Sequence, residues 1–152
     1  MKAVIFDFDG VIVDSETYWK AGEVDLFKKL VPGWRDEDVQ RMMGRTLTGI
    51  YELLVAEYGL AIPFDRFFRE FSDLAKRVYV QCNVVPGVLP LLESLTSASI
   101  PFAIASSAKR IWIDDALRVH KLDRFFTTIV SLDDLQFGQG KPMPIPYLLA
   151  AK

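Results

Sequence analysis

Ala3-Val4-Ile5-Phe6-Asp7-Phe8-Asp9-Gly10 decides how this chain of 152 residues is read. Its opening residues are apolar, and several are β-branched or aromatic. Such a run reads as a strand buried on both faces, as in a parallel sheet. Asp7 and Asp9 follow, two apart, and Gly10 ends the run. Period-two alternation sends both carboxylates to one side if the strand stays regular that far. In open parallel sheets, ligands bind beyond the carboxyl ends of the strands. Two neighbouring carboxylates repel, and a hard divalent cation held by oxygens relieves that repulsion. One acid can then act as a nucleophile while the other trades a proton.

Working outward, Asp14 and Ser15 offer N-cap oxygens for a helix carrying Ala21, Val24, Phe27 and Val31, stopped at Pro32-Gly33. Residues 36–43 read as a short helix closed by Gly44. Residues 46–58 place Ile50, Leu53, Leu54 and Tyr58 on one stripe, with Gly59 as the stop. After Pro63, the side chains Phe64, Phe67, Phe68, Phe71, Leu74, Ala75 and Val78 recur at helical steps, and core packing explains the phenylalanines. No second strand is expected before these helices end. A βαβ crossover needs only one helix. Residues 15–82 therefore read as a helical insert, and residues 1–14 with 83–152 as the α/β core.

Past Pro86-Gly87, a helix carries Val88, Leu91, Leu92 and Leu95, and residues 101–105 form the second buried strand, ending at Ser106-Ser107. A helix over 109–119, a strand over 126–130, a polar turn at Asp133-Asp134, the loop Gly140-Lys141-Pro142 and a helix over 144–151 follow. Apart from the insert, the order β-α-β-α-β-α predicts a doubly wound, Rossmann-like α/β fold.

Composition sets the outer bounds. Folding a chain of this size removes roughly 69% of its surface from water, enough for a core without disulfides or structural metal. Hydrophobic residues make up 51% and charged residues 25%, and 18 Lys+Arg against 20 Asp+Glu leave a net charge of −2. A chain with pI about 5.4 has no global basic surface, which argues against a general nucleic-acid binder. Cys82 is the only cysteine, so a disulfide framework and a multi-thiolate zinc site are excluded, and a reducing cytoplasm is expected. Asp7 and Asp9 break the N-terminal apolar run too early for a secretory signal, and no stretch of about 18 apolar residues predicts a membrane span.

Ser106 ends its strand as Asp7 ends the first. Its hydroxyl and the adjacent helix N-terminus would suit a phosphoryl oxygen, a role compatible with plain N-capping. A cation at Lys141 would offset charge between a nucleophile and a phosphate. His120 reads as a solvated residue, Cys82 as an inert thiol, and Trp19, Trp34 and Trp112 as packing residues.

Phe6-Asp7-Phe8-Asp9-Gly10-Val11-Ile12-Val13-Asp14-Ser15-Glu16 resembles the haloacid dehalogenase superfamily, nearest its β-phosphoglucomutase-like phosphatase branch. The likeness continues at Val85-Pro86-Gly87-Val88, Ile104-Ala105-Ser106-Ser107 and Gly140-Lys141-Pro142 and covers essentially the whole chain. The resemblance implies a Mg²⁺-dependent hydrolase of a small phosphorylated metabolite, with a helical cap over the site. It makes Asp7 the nucleophile, forming an aspartyl-phosphate, and a Mg²⁺ ligand. Asp9 becomes the proton donor and acceptor, with its backbone carbonyl on the metal. Ser106 would hold the phosphoryl group and Lys141 would steady the charge. Gly10, Ser107 and Arg45, in the stretch Gly44-Arg45-Thr46, would contact substrate.

Two departures qualify this. The branch continues past the lysine loop to a strand ending in an acidic pair, whereas this sequence stops at Lys152, and Ile145 stands where an Asp is usual. The core is therefore expected to be incomplete at its C-terminal end, with self-association through an exposed sheet edge. Trp19 stands where the mutase pattern has histidine, which favours a phosphatase over a phosphosugar mutase. A truncated non-catalytic homologue or interaction protein is the alternative.

Overall fold

Val4-Ile5-Phe6 and Phe102-Ala103-Ile104-Ala105 combine β-branched and aromatic residues with small ones, a mix that suits the pleated surface between two layers. In the computed structural model, which describes residues 3–42, 45–136 and 138–152, they pair in parallel. Met43 and Gly44, expected to close a helix, lie outside the described residues. The elements run β1 (Val4–Phe6), β2 (Val13–Asp14), α1 (Glu16–Leu30), a 3-10 segment (Asp36–Met42), α2 (Leu47–Tyr58), α3 (Phe64–Gln81), β3 (Asn83–Val84), α4 (Val88–Ser97), β4 (Phe102–Ala105), α5 (Arg110–Val119), β5 (Ile129–Val130), a 3-10 turn (Leu132–Asp134) and α6 (Ile145–Ala150). Among the described residues, no helix is long and apolar enough to cross a membrane.

The chain divides into two compact units, one of Met1–Glu16 with Tyr79–Lys152 and one of Thr17–Val78. The first holds a three-stranded parallel sheet in the order β1-β4-β5. Its register sets Phe6 opposite Ile104 and Ala105 opposite Val130. Alternation then sorts the side chains by face. Ile5, Ala103, Ala105 and Val130 pack with Ala150 and Leu149 of α6. On the other face, Phe6, Phe102 and Phe126 meet edge to face, with ring centroids 5.4 to 6.3 Å apart. Small residues beneath α6 and large ones opposite let a short helix approach one face closely. This is the parallel α/β fold the sequence predicts.

Two expectations change. The first strand ends at Phe6, short of Asp9, because the backbone turns at once. The Phe8 carbonyl accepts from the N–H groups of Ile12 and Val13 at 2.8 and 3.2 Å, and Gly10 takes φ +72°, where a side chain would be strained. Both acids therefore lie on a loop, and the alternation argument does not apply to them. Second, a strand does precede residue 101: β2 and β3 form a two-stranded antiparallel ribbon, with Val13 opposite Val84.

The second unit is helical among its described residues. Thr46 caps α2, its side chain accepting from Gly49 N–H at 3.1 Å, and Gly59 ends the helix at φ +67°. Phe67, Phe71, Leu74, Ala75 and Val78 are buried on one stripe of α3. Phe71 meets Phe67 at 5.8 Å and stacks on Trp19 at 5.6 Å, so these aromatics pack a core as read from the sequence. Trp34 and Trp112 are buried as well.

Ile104 lies fully buried in the central strand, whereas Ile111 on α5 is 57% exposed. Ile104→Ala is expected to cost about 2–5 kcal/mol in urea unfolding and Ile111→Ala less than about 0.5 kcal/mol. Equal costs would contradict the assigned layers.

Candidate active site

The loop after β1 places the two acids by burying the residue between them. Phe8 is 0% exposed and packs on the Tyr79 ring at 5.7 Å, so Asp7 and Asp9, both half-buried, flank an anchored side chain. Their partners differ in kind. Asp7 Oδ1 accepts from its neighbour's N–H on Phe8 at 2.7 Å and lies 2.7 Å from Lys141 Nζ. The lysine approach is poorly aligned for a hydrogen bond, and the buried ammonium has none among the described residues, so the contact is an ion pair. The same Nζ stands 5.3 Å from the ring centroid of Tyr147 on α6.

Asp9 is held by hydroxyls instead. Ser15, fully buried, donates to Asp9 Oδ1 at 2.5 Å. Tyr79, near the end of α3, donates to the same oxygen at 3.1 Å. The sequence suggested Ser15 as an N-cap acceptor for α1. In the structure its hydroxyl proton goes to Asp9, a bond that spans the β2 strand.

Ser106 follows β4 directly, and its N–H bonds the Val130 carbonyl at 2.9 Å. β1 and β4 run parallel with Phe6 opposite Ile104, so Ser106 and the loop of the acids leave the sheet at the same carboxyl edge. Ser106 Oγ accepts from Ala108 N–H at 3.0 Å, which leaves its own proton to donate elsewhere. Gly10 and Ser107 are exposed nearby in sequence. Asp7 and Lys141 are brought into contact, and Asp9 and Ser106 stand on the same edge of the sheet. Arg45 belongs to the second unit, where its Nε donates to the Arg41 carbonyl at 2.8 Å.

Other acids at this edge are in use. Asp133 bonds Arg110 N–H at 2.9 Å and Lys109 Nζ at 2.6 Å. Asp134 accepts from the Ser131 hydroxyl and N–H at 2.6 and 2.8 Å, bonds that hold its carboxyl below the usual range. Among the described residues, no group of three or more His, Cys, Asp or Glu side chains could hold a metal. The donor chemistry still fits a hard cation. Mg²⁺ keeps several waters and is commonly held by one or two carboxylates together with substrate phosphate, and the Asp7 carboxylate with the Asp9 carbonyl matches that sparse set.

His120 corrects the sequence reading. Its Nε2 lies 2.8 Å from the Tyr79 carbonyl, which can only accept, so the ring donates there rather than standing free in solvent. Cys82 Sγ donates to the same carbonyl at 3.7 Å. Tyr79 was not singled out from the sequence, because its hydroxyl on Asp9 carries no sequence signal.

The haloacid dehalogenase-like hydrolase profile matches residues 4–152. A phosphorylated carbohydrates phosphatase of Thermotoga maritima is 29% identical over 98% of this chain and 68% of its own length. The (DL)-glycerol-3-phosphatase 2 of Arabidopsis thaliana is 26% identical over 98% of this chain and 63% of its own length. The chain thus spans less than two thirds of that relative, and 40% of a bifunctional riboflavin kinase/FMN phosphatase from the same plant. The crystal structure of CbbY from Rhodobacter sphaeroides in complex with phosphate superposes with TM-score 0.81 at 21% identity, covering 99% of this chain and 71% of that one, a likeness of fold.

Burial, and then the charge of Asp9, pushes the Cys82 thiol up to about 11. The unfolded thiol ionises first, so the stability this group contributes is present below its ordinary range and is lost as pH rises towards about 11. At pH ~8, iodoacetamide should label Cys82 slowly in the folded chain and readily in urea, an ordinary free thiol titrating near ~8.5. Rapid labelling of the folded chain would contradict the buried position.

Proposed function

The chain belongs to the haloacid dehalogenase-like hydrolase family, and on that premise we propose that it hydrolyses a small phosphate monoester through an aspartyl-phosphate on Asp7. The observation that carries this is the Asp7–Lys141 ion pair of 2.7 Å at the carboxyl edge of the sheet, beside a second acid held by neutral hydroxyls. The phosphatase names of the relatives support the same chemistry.

Asp7 Oδ1 carries the Phe8 N–H and the Lys141 ammonium, and in this reading Oδ2 is the attacking oxygen. An Oδ2 lone pair forms the new bond to phosphorus as the ester P–O bond breaks. Asp9 gives its proton to the departing oxygen. Asp9 then takes a proton from water as that water attacks phosphorus, and the Asp7–phosphorus bond breaks to restore the carboxylate. Lys141 offsets negative charge as the anionic phosphoryl group meets Asp7. The Ser106 hydroxyl donates to a phosphoryl oxygen, and exposed Gly10 and Ser107 line the approach. Asp7 and the Asp9 carbonyl would hold Mg²⁺, which when bound neutralises phosphoryl charge. In this reading Thr17–Val78 is the cap that selects the ester, and Arg45 contributes to that selection.

Trp19 stacks on Phe71 at 5.6 Å, at the position where the mutase pattern has histidine, and this favours a hydrolase over a mutase. Self-association belongs to the same proposal, because β1 and β5 are the outer strands among the described residues and their outer edges are open to a further strand. Light scattering should show species larger than a monomer, and a clean monomer at high concentration would remove this part.

Phosphate release from p-nitrophenyl phosphate should require Mg²⁺ and stop on adding EDTA. Asp7→Asn should lower it by at least about 10³-fold, and Lys141→Ala by about 10²-fold. Full activity in Asp7→Asn would overturn the assignment of the nucleophile.

A further inference from the structure

Tyr79 is 1% exposed, and a phenol so deeply buried needs a partner for its hydroxyl. That partner is a carboxylate: the hydroxyl reaches Asp9 Oδ1 at 3.1 Å and Oδ2 at 3.4 Å. The rest of the residue is fixed independently. Its ring packs on Phe8 at 5.7 Å, the side chain between the two acids. Its carbonyl lies in the last turn of α3, where helix carbonyls lack helical partners. There it accepts from His120 at 2.8 Å and from Cys82 at 3.7 Å. Backbone, ring and hydroxyl are thus each anchored to a different neighbour.

We infer that Tyr79 is a positioning residue for Asp9, and that its buried hydroxyl, with that of Ser15, sets the rotation of the carboxylate that exchanges protons with the leaving group and water. The inference rests on the hydrolase reading above and adds to it a residue outside the motif strings. Two short donors on Oδ1 fix the plane of the carboxylate. Removing the Tyr79 donor takes away one of these restraints and leaves the group freer to turn. Proton transfer depends on heavy-atom geometry, so a turned carboxylate delivers its proton poorly. Substrate binding does not involve this hydroxyl, so the Michaelis constant is spared.

The test is Tyr79→Phe, which keeps the ring and deletes the hydroxyl, assayed with Mg²⁺ on two esters. An alkyl phosphate such as glycerol phosphate leaves as an alkoxide and needs the proton. p-Nitrophenyl phosphate leaves as a stable phenolate and needs it far less. The expected result is a fall in the single-turnover rate of leaving-group release of about tenfold or more on the alkyl ester and less than about threefold on the nitrophenyl ester, with KM unchanged on both. Release precedes the water step, in which Asp9 acts alike on both esters, so equal losses in release, or a rise in KM alone, would overturn the positioning role. The contact itself is read without turnover, by urea unfolding of Tyr79→Phe in the Asp9 and Asp9→Ala backgrounds. A lower midpoint in the first background and no shift in the second supports the contact, and equal shifts overturn it. If the unaltered chain cleaves neither ester, the hydrolase reading falls, an outcome distinct from either failure of Tyr79.

Discussion

The ion pair between Asp7 Oδ1 and Lys141 Nζ, 2.7 Å long, ties the end of the first strand to the loop beyond the third. The two residues are far apart in sequence, and parallel pairing in the order β1-β4-β5 brings their segments to one edge. Several parts of the first unit support that meeting. Small side chains on β4 admit α6 closely, and α6 presents Tyr147 to the lysine. Phe8, sealed inside, prevents the loop from rotating Asp7 away. A buried ammonium beside a carboxylate and an aromatic face is matched in charge, and in the proposed reaction it is also placed to meet an incoming phosphate.

The two acids are separated by a single residue, yet their surroundings diverge. One faces a cation and the other faces two hydroxyls. Neighbouring carboxyl groups in unlike environments can take unlike parts in a reaction, and in the proposed reaction this is what separates the nucleophile from the proton carrier. The division is made by residues from three segments, Ser15 just six positions beyond Asp9, and Tyr79 and Lys141 far along the chain. It is a property of the fold, and the motif Asp7-Phe8-Asp9 does not contain it.

This explains what the sequence showed and what it hid. The long helices were legible because their stripes repeat over several turns, as from Phe64 to Val78. The strands β1 and β4 were legible because continuous apolar runs end at polar residues, and the same punctuation exposed Asp7 and Ser106. The ribbon of β2 and β3 was hidden because strands this short carry no alternation to detect. The end of β1 at Phe6 was hidden because the turn is made by backbone bonds to the Phe8 carbonyl, and amino-acid type does not announce them. His120 was misread and Tyr79 went unread for a related reason. One sits near a helix end and the other in the last turn of a helix, and their hydrogen bonds join segments that only the tertiary structure brings together.

In the proposed reaction Asp7, held by Lys141, becomes covalently phosphorylated. The chain should be incubated with Mg²⁺ and phosphoramidate, quenched in acid, digested and mapped by mass spectrometry. One phosphoryl group is expected on the peptide bearing Asp7, carried by that residue and formed about 10²-fold more slowly after Lys141→Ala. A phosphoryl group on Asp9, or substrate turnover with no adduct on Asp7, would contradict the proposal.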